Sequence, residues 1–427
     1  MIDLKRLRQD PEGSRASLLR RSDPAVAALV DEVLALDRRR RELLVRVEAL
    51  KAERNAASEE VARRKRAKEP ADELMATLKA SGEQVKALDQ ELREIDAELD
   101  RRALTLPNFP APEVPDGDAS ANRVVRSWGE PRKFDFTPKP HWELASALGI
   151  LDLPAGAKLT GSGFPLFRGA GARLVRALAG FMLDLHTREH GYTEVAPPYL
   201  VNRASLTGTG QLPKFEDDLY ATVADDLLLI PTAEVPLTNI HRDEILEGSQ
   251  LPFGYVAWTP CFRREAGAHG KDTRGLIRVH QFDKVELVRF ARPEDSAAEH
   301  ARMTEHAETV LRRLELPYRV VELAAGDTGF ASARTFDLEV WAPGVGAWLE
   351  ASSSSTFTDF QARRANIRYR PEPKGKPEFL HTLNASGVAF PRTIIALLEN
   401  HQAADGSVRV PAPLVPYLGV DRLVPAA

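Results

Sequence analysis

A single cysteine, Cys261, stands in 427 residues. A disulfide within the chain is excluded, and so is a zinc site built from several thiolates. No run approaches the roughly 18 consecutive apolar residues of a spanning helix, so no membrane segment is expected. The opening residues, MIDLKRLRQD, lack the apolar stretch of a secretory signal. With so little cysteine, a reducing cytoplasm is the expected setting. Neither sign of charge dominates: 58 Lys and Arg stand against 62 Asp and Glu, a formal charge of -4. Nucleic-acid binding would therefore need a local basic patch. GxGxxG and P-loop motifs are missing, which removes the ATP-binding architectures most easily read from sequence. What is present is 43% hydrophobic and 28% charged, the composition of a globular chain with a large core. At roughly 100–200 residues per domain, the length predicts two or three domains.

The first hundred residues carry a coiled-coil pattern. Leu29, Val33, Leu36, Arg40, Leu43, Val47, Leu50, Arg54, Ala57 and Val61 follow alternating spacings of four and three. Leu74, Leu78, Ser81, Val85, Leu88, Leu92, Ile95 and Leu99 do the same. That period, about 3.5 residues, is the seam of a coiled coil. Pro70 lies between the two series and breaks the helix, so an antiparallel hairpin is predicted. Near its tip, residues 63–68 read RRKRAK. A basic end on a projecting rod suits a phosphate backbone, because docked Lys and Arg release condensed counterions. A solvated helix face is the alternative for the same charges.

Seven prolines between residues 105 and 140 predict an extended linker, with a domain boundary near residue 110. Beyond it, helical patterns at 171–189 and 294–314 alternate with strand patterns. The runs PFGYVAWTPCFRRE and GLIRVHQFDKVELVRF read as a hairpin joined by AGAHGKDT, an eight-residue connection. YRVVELA, TFDLEVWAP and AWLEASSS read as further strands, and TIIALLENHQ as the closing helix. Long hairpin strands with helices between them predict an α+β domain, an antiparallel sheet covered by helices.

The chemistry concentrates on the hairpin. Arg263 and Glu265 end its first strand, and Arg278, Phe282 and Glu286 differ by even numbers along the second. Even spacing puts all three on one face. A cation, a ring and a carboxylate in a row suit a flat, charged ligand: ring against base, guanidinium against phosphate. A solvent-facing sheet with ion pairs is the alternative.

GYTEVAPPYL, CFRREAG…RGLIRVHQFDKVE and LNASGVAFPRTIIALLEN resemble, in order, the three motifs of class II aminoacyl-tRNA synthetases. TAE at 232–234, FEDDLY at 215–220, QARRAN at 361–366 and the long N-terminal arm narrow the resemblance to the seryl-tRNA synthetases of bacterial type, over essentially the whole chain. The resemblance implies an arm at 1–110 that binds the long variable arm of tRNA(Ser), through candidates Arg63, Arg64, Lys65 and Arg66, and a catalytic domain at 111–427. It implies that Arg263 grips the α-phosphate of ATP, that Glu265 accepts from the adenine amino group, and that Phe282 and Arg392 stack on the base. Arg264, Val279, Ala351 and Ser352 complete the ATP site. Glu350 and Ser353 would hold Mg²⁺ with ATP, since magnesium takes oxygen ligands and needs few from protein; zinc is not expected. Catalysis rests on Arg263, Arg392 and Glu350. Thr232, Ala233, Glu234, Glu286, Asn384 and Ser386 would form the serine pocket, and which of them meets the ammonium and which the hydroxyl stays open. Lys271 and Arg274 fall in the loop where family members meet phosphates or the tRNA acceptor end.

No covalent nucleophile is implied: Cys261 reads as a small core residue. His280 either borders the base or is structural, and His269 is a solvated loop residue. The resemblance further implies a cytoplasmic homodimer with GYTEVAPPYL at its interface, and leaves open whether tRNA(Sec) is also charged. The chain departs from the pattern at Gly163, Ser354, Thr356, Ala385 and Phe390-Pro391, which puts local packing in question. Two other functions remain to be weighed. An inactive RNA-binding or regulatory descendant is disfavoured by intact Arg263, Glu265, Glu286, Glu350 and Arg392. A ligase that loads an amino acid onto a carrier protein would lack the long arm.

Overall fold

The computed structural model describes residues 1–266 and 274–425; His269 and Lys271 lie outside them. The chain divides into two compact units. One comprises Ile2–Leu19 and Asp23–Pro107, the other Met1, Arg20–Ser22 and Asn108–Ala427.

The first unit is the antiparallel helical hairpin. Its arms are α1 (Ala25–Ala67) and α2 (Asp72–Ala103). At ~1.5 Å per residue α1 is about 65 Å long. Lys68, at φ 58°, ends α1 in the left-handed region, and its N–H closes onto the carbonyls of Arg64 and Lys65. Val33, Leu43, Val47 and Val61 of the seam are buried, as are Val85, Leu88 and Leu99 opposite. One seam position differs from expectation. Asp37, not Leu36, is the buried residue, 2% exposed. Arg8, from the short helix Leu4–Gln9, and Arg41 hold its two oxygens at 2.9 and 3.1 Å. Near the root Val26, Val30 and Val33 are buried as well, which carries the seam one residue on from the predicted Leu36. Ion pairs Glu32–Arg102, Arg39–Glu91 and Lys51–Asp89 cross between the arms at 2.7–3.0 Å. Such exposed pairs stabilise by about 0–1 kcal/mol each, so the apolar seam holds the rod together.

The second unit is built on β1 (Arg123–Trp128), α3 (Ala170–Arg188), β2 (Thr193–Glu194), α4 (Glu234–Asn239), β3 (Phe253–Phe262), β4 (Gln281–Ala291), α5 (Ser296–Arg313), β5 (Tyr318–Glu322), β6 (Arg334–Ala342), β7 (Ala347–Thr358), β8 (His381–Ala389) and α6 (Phe390–Asn400). Eight strands form one sheet in the order β1-β5-β6-β7-β8-β4-β3-β2. All neighbours are antiparallel except β2 beside β3. The hairpin connection and the end of the fold differ from the sequence reading. The hairpin connection runs from residue 263 to 280, because regular pairing stops at Phe262 and Gln281. And α6 does not close the fold: a short pair, Val408–Arg409 with Arg422–Leu423, follows it.

Parity along β4 explains the layers. Val285, Leu287 and Ala291 point to one face, where α3, α5 and α6 bury Leu178, Met182, Met303, Val310 and Ile394 against the sheet. Val288 and Phe290 point to the other face, into a second apolar cluster with Ala233, Leu237 and Ala257. Phe282, Lys284 and Glu286 share that second face, so one face of the strand turns from apolar to polar along its length. Among the described residues no helix is long and apolar enough to cross a membrane.

Candidate active site

Three strands bring the polar groups together on this face. In β8, Leu383 and Ala385 enter the core, which leaves Asn384 and Ser386 on the opposite side. In β7 the register slips between Glu350 and Ser352. The slip puts Glu350 and Ser353, three apart in sequence, on the same face, paired across to Glu339 and Asp337 of β6. The result is a cavity of about 610 Å³ walled by Thr232, Glu234, Lys284, Ser353, Asn384 and Ser386, among others. A cleft of about 240 Å³ adjoins it, walled by Val279, Phe282, Ala351, Ser352 and Arg392. Arg263, Glu265, Arg278, Lys284, Glu350 and Ser386 border both.

The inner end of the cavity is a buried charge network. Glu286 is fully buried and lies behind the wall. Lys284 ion-pairs with it, and Asn384 Nδ2 donates to its Oε1 at 2.9 Å. Lys284 also donates to Thr232 Oγ1 at 3.0 Å. Glu234 accepts from Gln361 Nε2 at 2.6 Å. Burial first, and the nearby Glu286 charge second, push Glu234 up to about 7. Burial also raises Glu286, with Lys284 opposing. Two carboxylates, one cation and two hydroxyls at the inner end of the cavity suit a small ligand carrying both an ammonium and a hydroxyl. Ala233 is placed differently: its methyl packs into the apolar cluster.

The cleft is arranged for a nucleotide-like ligand. The exposed Arg263 guanidinium lies over the Phe282 ring, 5.2 Å from its centroid, and its Nε donates to the carbonyl of Pro231 at 3.3 Å. Glu265 ion-pairs with Arg278, which precedes β4 instead of lying within it. The expected row of three on one strand therefore reduces to Phe282 and Glu286, with Lys284 between them. Arg392 Nη1 donates to the Glu350 carbonyl at 2.7 Å and lies 3.3 Å from the Glu350 carboxylate. Arg264 is not a wall residue; its N–H donates to the Asp218 carbonyl at 3.0 Å.

Backbone geometry fixes these positions. His280 Nδ1 lies 2.9 Å from the Arg263 carbonyl, and the Arg263 N–H donates to the His280 carbonyl at 2.8 Å. His280 is thus structural. Its own N–H bonds the Gly163 carbonyl. Gly163 sits at φ 81°, and an added Cβ would lie 2.3 Å from the His280 ring, so this position has no room for a side chain. Ser354 is buried and bonded to Thr304 at 2.9 Å, and Thr356 to Ser296 at 3.3 Å, so both departures are accommodated. Cys261 is buried and its thiol is raised by burial, an unreactive state.

Two groups were missed in the sequence. Lys284 has the parity of Phe282 and Glu286 and could have been read from it. Asp337 lies opposite Ser353 in the β6–β7 register. Burial and the Glu350 charge hold its carboxyl well above the usual carboxylate range, against a hydrogen bond from Ser353. One of its oxygens, Oδ1, is buried without a partner. Asp337, Glu350 and Ser353 offer only oxygen donors, a set that fits Mg²⁺. Among the described residues no three His, Cys, Asp or Glu side chains converge as a metal site by themselves. A cation here would draw the rest of its shell from ligand phosphates and water. In the hairpin unit, Arg63 and Arg64 both pair with Glu60, at 2.7 and 2.9 Å, and Arg66 bonds the Ala62 carbonyl; Lys65 is exposed.

Comparisons with known proteins match both units. Residues 1–110 match the family model "Seryl-tRNA synthetase N-terminal domain", and residues 214–401 match "tRNA synthetase class II core domain (G, H, P, S and T)". The serine–tRNA ligase of Gemmatimonas aurantiaca is 56% identical over 420 residues, 98% of this chain and 99% of that one. The crystal structure of seryl-tRNA synthetase from Pyrococcus horikoshii, complexed with ATP, is 40% identical with a TM-score of 0.95, over 100% of both chains. The cytoplasmic serine–tRNA ligase of Naegleria fowleri, in complex with AMP, is 29% identical with a TM-score of 0.87, over 98% of this chain and 97% of that one.

Proposed function

The chain belongs to the seryl-tRNA synthetase family, and from that premise we propose how its own residues carry the reaction. The protein is a serine–tRNA ligase: it joins L-serine and ATP into seryl-adenylate, releasing diphosphate, and passes the seryl group to the 3′ end of tRNA(Ser). The observation that carries the residue-level reading is the shared wall. Arg263 and Glu350 border both the polar cavity and the nucleotide-like cleft, which is where a carboxylate from one side must meet a phosphate from the other.

Serine occupies the inner end. Glu234 and Glu286 provide the negative charge for its ammonium, while Thr232, Asn384 and Ser386 provide polar partners. Lys284, ion-paired with Glu286, borders the shared wall and draws the serine carboxylate toward Arg263. ATP occupies the cleft, with adenine between Phe282 and Arg392 and its amino group toward Glu265. Val279, Ala351 and Ser352 line its path, and Arg264 holds the loop through its backbone. Arg263 stabilises the charge that gathers on the α-phosphate as the serine carboxylate attacks, a contribution of preorganised charge. Glu350 and Ser353, with Asp337 beside them, would hold Mg²⁺, which would supply positive charge to screen the phosphates. In the second step a terminal ribose hydroxyl bonds to the seryl carbonyl carbon. The carbonyl–phosphate bond breaks, AMP leaves with the electron pair, and its phosphate takes the hydroxyl proton. Positioning carries both steps.

Residues 1–110 serve as the tRNA-binding arm and 111–427 as the catalytic domain, in a cytoplasmic homodimer joined along 191–200. tRNA(Sec) is a further acceptor to be tested. The direct test is charging by the full chain with serine, alanine or threonine. Serine-dependent acylation of tRNA(Ser), with at least a hundredfold preference over alanine, is expected. Equal use of alanine would contradict the assignment of the buried carboxylates.

A further inference from the structure

The larger cavity extends beyond what serine needs. The same cavity includes a wing lined by Phe215, Leu219, Phe330 and Phe357. None of these borders the cleft that holds Phe282 and Arg392, so the wing lies on the far side of the shared wall from the nucleotide cleft. Phe215 is 36% exposed. Its ring and that of Phe330 meet edge to face, with centroids 6.1 Å apart. Lys214 stands over both, 5.9 and 4.9 Å from the centroids.

This aromatic pair is held in place. The Phe330 carbonyl accepts from the Asn108 N–H at 3.0 Å. The buried Arg21 guanidinium donates to the carbonyls of Asn108, Thr328, Gly329 and Ser332 on either side. Phe330 also packs against Phe360 and under Arg364. The Phe215 N–H donates to the Gln211 carbonyl at 2.8 Å, and Asp218, three residues on, accepts from the N–H groups of Arg264 and Ala266. A rigid, half-exposed aromatic wall opening onto the seryl site is otherwise unexplained.

We propose that the Phe215–Phe330 wing, with Lys214 over its rings, receives the terminal adenosine of the RNA acceptor during transfer. The proposal rests on the transfer reaction above and assigns its third substrate a place. Serine and ATP account for the polar end and the cleft. The wing is the remaining part of the same cavity, and its chemistry is that of a base-stacking platform beside a cation for the last phosphodiester.

The test loads the full-length enzyme with labelled serine and ATP and follows single-turnover transfer to tRNA(Ser). The tRNA ends either in adenosine or in an abasic ribose. Stacking of one base on an aromatic side chain supports about a tenfold or larger effect. In the unaltered enzyme the abasic end slows transfer by about tenfold or more. In Phe215→Ala, and in Phe215→Ala combined with Phe330→Leu, intact tRNA transfers about as slowly as abasic tRNA does with the unaltered enzyme. The abasic penalty then shrinks to about twofold or less. An undiminished penalty in both variants would overturn the proposal, because the base would be read elsewhere. Loss of adenylate formation in both variants would also overturn it, because the rings would then serve activation or folding. If the unaltered enzyme forms no adenylate with serine, the reaction itself is misassigned, a separate failure.

Discussion

Glu234 shows what burial does to a carboxylate in the proposed serine pocket. Its carboxyl, raised to about 7 by burial and by Glu286, must ionise to attract an ammonium. Exchange activity at low serine is therefore expected to rise with pH through about 7. Glu234→Gln should flatten that rise and lower the plateau, read as kcat/KM against pH. Stability gives the opposite sign. The folded-state value lies above the ordinary carboxylate value of about 4.3, so ionisation costs the folded state free energy. That cost is absent well below pH 4, builds as pH rises toward 7, and is full above it. Glu234→Gln, which can still accept from Gln361, should therefore raise Tm at pH 8 and change it much less at pH 4. Lys284 lies between Phe282 and Glu286 with the same parity, so its place on the site face was legible in the sequence. Asp337 was harder to see. Its approach to Ser353 depends on the slip between Glu350 and Ser352, and no pattern of residue types announces a one-residue bulge.

At the scale of elements, the segment 275–280 sets the floor of the cleft. Gly275 has φ 67°, and an added Cβ would lie 2.2 Å from His141 Nε2, the atom that accepts the Leu276 N–H. His141 is in turn fixed by Glu399 at 2.9 Å. Gly275→Ala should cost about 1–3 kcal/mol in denaturant unfolding and raise the KM for ATP more than that for serine. The strands were legible because their alternation is dictated by one buried and one polar face. The connection between β3 and β4 was misread as eight residues because Arg278 and His280 carry strand-like spacing without strand pairing. The seam of the hairpin was legible for the same reason as the strands, except at Asp37, where two arginines make a buried carboxylate tolerable. Replacing Arg63, Arg64, Lys65 and Arg66 by alanine should weaken tRNA binding at low salt. If all four meet phosphates, the log–log salt slope falls by about 3–4. An unchanged slope would return this tip to the status of a solvated face.

At the scale of the molecule, the proposed activation and RNA capture belong to different units of the chain. Shortening the hairpin by removing residues 35–95 should leave serine activation in place and abolish charging of tRNA(Ser), since the removed residues contribute nothing to the cavity or the cleft. Normal charging by the shortened chain would refute the role given to the arm. The change of period marked the hairpin, but the proline-rich stretch was not the extended linker it suggested: residues 105–140 carry β1 of the main sheet, and Leu106, Asn108, Phe109 and Val114 are buried. The convergence of β4, β7 and β8 on one cavity was not legible, because it depends on strand order. The most direct measurement is serine-dependent exchange of labelled diphosphate into ATP by the unaltered chain and by Arg263→Ala. Exchange that requires serine and falls by about 100-fold or more in the variant is the result expected from a preorganised guanidinium at the shared wall. Exchange that proceeds without serine, or survives the loss of Arg263, would contradict it.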